Sequence, residues 1–197
     1  AKDDTNEYND QVSVLLKVIS ILRVSESFNK IIDIASEHLK NNPKDINILY
    51  ARAMAYESLK NINAMELDLL KILEVDKKNT NTLNALGYSL TIHTSRYEDA
   101  SNYVMEAYTH DPGNAAIIDS MSWILYKQGK YSEALKYSEI AYLKDKDPEI
   151  LEHHCKILLK NSLFNEFDNI LKSIKNSGNY NDDLIEKLIS LKDDVSI

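Results

Sequence analysis

The chain has 197 residues, 44% of them hydrophobic and 27% charged, with a formal net charge of −8. A chain of this length buries a core without metal or disulfide staples. The acidic balance excludes a broad phosphate-binding surface, which needs clustered Lys and Arg. With 4 Gly and 3 Pro, the chain is too poor in turn residues for a large β-sheet protein, so the expected class is all-α.

The lone cysteine, Cys155, has no partner for an internal disulfide and so points to no redox compartment. No apolar run approaches the length of a transmembrane helix, and the start of the chain carries no secretory signal pattern.

Residues 1–11 read as a polar, loose N-terminal segment, or alternatively as the end of an earlier repeat. From residue 12 onward the sequence repeats with a period of about 34 residues. The units are 12–45, 46–79, 80–114, 115–147 and 148–181. Unit one carries Val18, Ile19, Phe28, Ile31 and Pro43, and unit two carries Leu49, Ala53, Tyr56 and Met65. Unit three carries Leu86, Gly87, Tyr97, Ala100, Ala107 and Pro112. Unit four carries Gly129, Tyr131, Ala134 and Ala141, and unit five has Cys155, Phe164 and Phe167 at the matching places. The small residues recur where two helices of one hairpin must touch, since a small side chain lets their backbones approach. The extra residue of unit three is expected near Thr94–Arg96, in a turn, where a length change costs least. Residues 182–197 read as a capping helix and tail: Leu184, Leu188 and Leu191 have helical spacing, and Asp182–Asp183 suit a helix N-terminus.

These residues resemble the tetratricopeptide repeat (TPR) family. The resemblance implies a right-handed α-solenoid of about five helical hairpins, whose first helices line a concave groove used to bind protein or peptide. It places positions two, five, nine and twelve of each unit in that groove. The selected candidate binding residues are Tyr50, Met54, Asn81, Asn84, Tyr88, Asp119, Trp123 and Tyr126. Aromatic rings and Met suit a binding surface, and an Asn amide offers a peptide backbone both a donor and an acceptor. Trp123 is expected toward the groove, with packing between adjacent hairpins as the alternative. The groove that grips a C-terminal carboxylate in chaperone-binding members needs cations at positions five and nine; here those positions offer only Lys156.

A narrower resemblance rests on Leu49-Tyr50-Ala51-Arg52-Ala53, Asn84-Ala85-Leu86-Gly87-Tyr88, Ile118-Asp119-Ser120-Met121 with Trp123, and Pro148-Glu149-Ile150 with His153. These stretches are similar to the C-terminal repeats of a proteobacterial TPR lipoprotein, an outer-membrane-anchored periplasmic adaptor of a carboxyl-terminal processing protease. The chain departs from that pattern where Ser122, Cys155 and Asn161-Ser162 replace glycine, and it carries no lipid-attachment cysteine.

Catalytic constellations are weak. His153-His154-Cys155 is the densest cluster of metal-type ligands, yet adjacent helical residues diverge by about 100°, so they do not converge on one ion. The expected roles are one exposed His, one His between hairpins and a small buried Cys. No phosphate-cradling glycine loop and no paired carboxylates with a distinctive spacing occur. The expected function is non-catalytic, with a protein or peptide partner, no cofactor, no metal and no nucleic acid. The alternative is a scaffold that self-assembles through its ends or convex face, where Phe164 and Phe167 would be exposed.

Overall fold

The computed structural model describes the backbone of residues 2–195 and the side chains of residues 11–192. Among the described residues the only regular elements are eleven α-helices: α1 Lys2–Val24, α2 Phe28–Asn41, α3 Ile46–Ser58, α4 Ile62–Val75, α5 Thr80–His93, α6 Tyr97–His110, α7 Ala115–Lys127, α8 Tyr131–Lys144, α9 Pro148–Lys160, α10 Phe164–Ser177 and α11 Asp182–Val195. Helices α1–α10 pair into five antiparallel hairpins that stack as a solenoid, and α11 packs on α9 and α10 at the end. None of the described helices is long and apolar enough to cross a membrane.

The hairpins start at regular polar caps. Asp45, Asn79, Asn114 and Asp147 each precede the first helix of a hairpin, and each side chain accepts a hydrogen bond from a backbone N–H of the first turn. Such a cap contributes about 1 kcal/mol over alanine. At the last helix the cap is Asn181, whose Oδ1 accepts from Leu184 N at 3.0 Å. Asp182 and Asp183, expected as the cap, lie in the first turn, where their charge still suits the helix dipole. Residues 2–11 are helical, in place of the loose segment expected there, because nothing from Lys2 to Val24 interrupts a helix: the stretch has no Gly and no Pro.

Inside the hairpins the turns follow two designs. In four of them a backbone N–H reaches back five residues: Ser27 to Leu22 O, Asn61 to Tyr56 O, Lys130 to Leu125 O, and Leu163 to Leu158 O. This closure requires a left-handed residue, supplied by Glu26, Lys60, Gly129 and Ser162 at φ between 52° and 76°. The third hairpin solves the turn differently. Thr94 takes an extended φ of −138°, and its hydroxyl accepts from Arg96 N, so no residue turns left-handed.

The two helices of each hairpin meet at small or buried side chains. Ala53, Gly87, Ser122 and Cys155 occupy equivalent places on α3, α5, α7 and α9, and all are buried. The approach is tightest at Gly87, where an added Cβ would lie 2.3 Å from Val104 Cγ2 and 2.7 Å from the Ala100 carbonyl oxygen. Polar staples reinforce the apolar contacts. Arg52 donates from Nε and Nη2 to both carboxylate oxygens of the buried Asp68 at 2.7 and 2.8 Å, and from Nη1 to Ser36 Oγ at 2.9 Å. One guanidinium thereby ties α2, α3 and α4.

At the C-terminal end Phe167, Ile174 and Leu188 are buried among α9, α10 and α11. Phe167 is therefore core rather than an exposed contact, at the place where Ile31, Met65, Ala100 and Ala134 are buried in the preceding hairpins; Phe164, one turn earlier, is 37% exposed.

Gly87→Ala tests the close approach. In an unconstrained helix this change would stabilise by about 1 kcal/mol. Here the new methyl meets a backbone carbonyl that cannot rotate away, and we expect a net loss of about 2–3 kcal/mol in urea unfolding. A variant as stable as the parent would mean that α5 and α6 are not held this closely.

Candidate functional site

The first helices of the hairpins lie side by side in the stack, α1 on α3, α5 on α7 and α7 on α9, and the predicted residues divide there into three groups. Tyr50, Met54 and Asn81 line a cavity of ≈510 Å³ bounded by α1, α2, α3 and the start of α5. Its walls are largely apolar, from Leu16, Ile19, Phe28 and Ile46, with Arg23 and Glu57 at hand. Burial pushes the Tyr50 phenol up, with the Glu57 charge adding to the effect, so Tyr50 stays a neutral hydrogen-bond donor.

Asn84, Tyr88 and Asp119 line a second cleft, of ≈250 Å³, together with Ala116, Ser120, Ile150 and three acidic residues, Asp145, Asp147 and Glu149. The Tyr88 hydroxyl donates to Glu149 Oε1, which joins the third hairpin to the fifth across the fourth. Burial and that carboxylate both drive the Tyr88 phenol upward, so it too remains a proton donor.

Trp123 and Tyr126 line neither cavity. Trp123 was expected toward the groove, yet it is only 6% exposed. Its ring stacks on Tyr126 at 4.6 Å and on His153 of the next hairpin at 3.9 Å, and Lys127 and Lys156 lie 5.3 and 5.4 Å from its centroid. The inter-hairpin alternative is the one the structure adopts. Asp119 is likewise buried, at 4% exposure, with Oδ2 2.7 Å from His153 Nδ1. Burial pushes the Asp119 carboxyl up, the His153 contact opposes that shift, and the Glu149 charge adds to it. Two polar atoms of residues that line this cleft, Asp119 Oδ1 and Asn84 Oδ1, are buried without a hydrogen-bond partner in the protein; the Ser122 hydroxyl, which favours the charged Asp119, donates to the Asp119 backbone carbonyl at 2.8 Å.

Of this acidic lining, Glu149 falls at position two of its unit, a groove position by register, whereas Asp145 and Asp147, in the loop before α9, are outside the positions that the repeat selects. The signal for the lining was present: Asp145, Asp147 and Glu149 alternate along five residues. What the sequence does not show is that this loop bends toward α5 and α7.

The His153-His154-Cys155 run resolves into three separate environments. His153 pairs with Asp119 and Trp123. His154, expected to differ from its neighbour in exposure, is equally buried: its Nδ1 is 2.9 Å from Ser138 Oγ and its ring stacks on Tyr142 at 5.0 Å. Burial pushes the Cys155 thiol up to about 12, which leaves almost no thiolate near neutrality.

No protein-family model matches the chain. Over 117 residues it is 39% identical to a TPR repeat-containing protein of Pseudomonas aeruginosa, covering 59% of this chain and 20% of that protein. The chain thus spans about a fifth of the length of the curated relative it matches. Among solved structures it superposes on a thermophilic TPR protein of Thermus thermophilus with a TM-score of 0.78 at 16% identity, covering 91% of this chain and 97% of that one. A tetratricopeptide repeat protein of Parabacteroides merdae gives 0.77 at 20% identity, covering 92% and 70%. Pseudomonas aeruginosa PilF gives 0.74 at 16% identity, covering 95% and 88%. The fold is that of the right-handed TPR solenoids.

His154 makes the stability of this fold depend on pH. Burial, with the Lys146 charge adding to it, holds its folded pKa down to about 4, against about 6.5 in the unfolded chain. Below pH 6.5 the unfolded chain takes up a proton that the folded one refuses, so stability is full above that value and lost as pH falls toward 4. Between pH 7.5 and 5 the loss from this residue is about 2 kcal/mol. His154→Gln, which retains a hydrogen-bonding partner for Ser138, should reduce the pH dependence of urea unfolding by that amount. Parallel pH profiles for the two proteins would refute the assignment.

Proposed function

We propose that this chain is a non-catalytic adaptor that holds a protein or peptide segment along its concave face. The observation that carries the reading is the ≈510 Å³ cavity on that face, where Tyr50 and Met54 present apolar surface beside the amide of Asn81. Large rings and adaptable Met supply contact area at low ordering cost, and an exposed Asn amide suits the backbone of an extended segment. The fold supports the same reading, because each stacked hairpin adds to a continuous concave surface.

The partner suggested by the narrower sequence resemblance is a carboxyl-terminal processing protease, with cell-wall hydrolases as its clients, on the periplasmic side of an outer membrane. The stretches around Tyr50, Asn84–Tyr88 and Asp119–Trp123 support that partner, since they lie on or beneath the concave face.

Affinity capture tests the adaptor reading. The baits are the parent chain, a Tyr50→Ala/Met54→Ala variant of unchanged helicity, and a convex-face control, Leu143→Ala. We expect a defined partner, a processing protease foremost, to fall by about tenfold or more with the groove variant alone. Identical capture by all three baits would sink the groove reading.

A second reading, self-assembly through an end, is favoured by one observation. Val14, Val18, Ile21 and Val24 form an exposed apolar stripe along α1. If that stripe joins copies, sedimentation velocity should show the weight-average mass rising with concentration, and Val18→Glu/Ile21→Glu should abolish the rise. A single monomeric species at all concentrations excludes it.

A further inference from the structure

The smaller cleft differs from the larger one in chemistry. Its polar walls are acceptors: Asp119, Asp145, Asp147 and Glu149 are carboxylates, and no Lys or Arg lines it. His153 faces Asp119 Oδ2 from 2.7 Å, and two lysines of this region are engaged elsewhere. Lys146 sits 3.2 Å over the Tyr142 ring, and Lys156 donates to Glu152 at 2.6 Å. Inside the cleft Asp145 and Asp147 of the loop and Glu149 of the first turn of α9 each commit one oxygen to a hydrogen bond and keep the other. Asp145 Oδ1 accepts from Asp147 N at 3.1 Å, Asp147 Oδ1 accepts from Glu149 N at 2.8 Å, and Glu149 Oε1 accepts from Tyr88.

An independent observation marks the cleft as a recognition site. Asp119 is 96% buried by its 4% exposure, and its Oδ1 has no partner; Asn84 Oδ1 on the facing helix has none either. A buried acceptor without a partner costs about 1–3 kcal/mol, more when it is charged. Two from residues that line one cleft, beside uncompensated negative charge, describe a negative image of a multiply donating cation. A metal ion does not fit the pattern, since among the described residues no three such ligands converge. An ammonium offers three donors around one point. A guanidinium offers five in a plane, so it can reach acceptors on different helices at once.

Resting on the adaptor reading above, we propose that the cleft between α5, α7 and the loop before α9 is a subsite for an arginine side chain of the bound polypeptide. The guanidinium donates to Asp119 and Asn84 at the floor and to the carboxylates of Glu149 and Asp147 at the rim. The aliphatic stem rests on Ile150 and Ala116. The larger cavity receives apolar side chains of the same segment.

The test is a ¹H–¹⁵N correlation titration of the full chain with three capped tripeptides, Ala-X-Ala, in which X is arginine, citrulline or lysine. Citrulline keeps the shape of arginine and lacks its charge. The arginine peptide should shift the amides of Asn84, Asp119 and Glu149, with citrulline weaker by about tenfold or more and lysine weaker by several-fold. Asp147→Asn/Glu149→Gln preserves the cap and the Tyr88 contact while removing two charges, and it should weaken the arginine peptide by about tenfold. The proposal is overturned if the arginine peptide leaves these amides unmoved, if citrulline or lysine binds as tightly, or if the double variant binds equally well. If arginine fails here while Tyr50→Ala/Met54→Ala still releases a partner, the subsite falls and the groove adaptor stands. If arginine binds here and the groove variant releases nothing, the adaptor reading falls and the basic-side-chain site remains.

Discussion

Each hairpin brings its two helices together at a small residue, and in the third hairpin, at residue 87, there is no room for a single methyl group. That closeness orders the rest. With a small residue at the crossing, the second helix packs behind the first, and the first helices of successive hairpins are left side by side on one face. A bulkier residue would splay the pair and disturb the stacking angle with the next unit. Because a solenoid is stabilised by contacts between neighbours, the disturbance would spread to the adjacent interfaces. The alternation of Ala53, Gly87, Ser122 and Cys155 along the stack is therefore what makes a continuous concave face available.

The concave face is itself crossed by polar ties. Glu57 on α3 accepts from Ser89 on α5, and Tyr88 on α5 reaches Glu149 on α9. The second tie spans an intervening hairpin. Asn84, Asp119 and the loop before α9 meet in one cleft, and the larger, more apolar cavity lies among α1, α2, α3 and the start of α5. Two chemically distinct compartments thus arise from one repeated scaffold.

The helical class and the hairpin stack were legible because they depend on short-range features: a recurring small residue and apolar spacing at a fixed period. Tyr50, Met54 and Asn81 lie on the concave cavity for the same reason, since position within a helix sets the direction of a side chain. Trp123 and Asp119 escaped that logic. Both occupy groove positions by register, and both are covered by His153, which stands one repeat further on. A pattern read within one unit does not reveal what the following unit lays over it.

The Asp119–His153–Trp123 contact also explains why burying a carboxylate here is tolerable. Its Oδ2 is satisfied by the imidazole, and the imidazole is in turn fixed by stacking on the indole, so the residue is held in one orientation by groups from two hairpins. That orientation leaves the second oxygen, Oδ1, without a donor in the protein. Burial without full satisfaction is normally removed by substitution to an apolar residue, because the cost is large and the gain from a lone buried carboxylate is small. Asp119 stands beside Asn84, Asp145, Asp147 and Glu149, the acceptors that the proposed guanidinium subsite would use. In that arrangement the stacked Trp123 holds His153, and through it the Asp119 carboxylate, in one orientation.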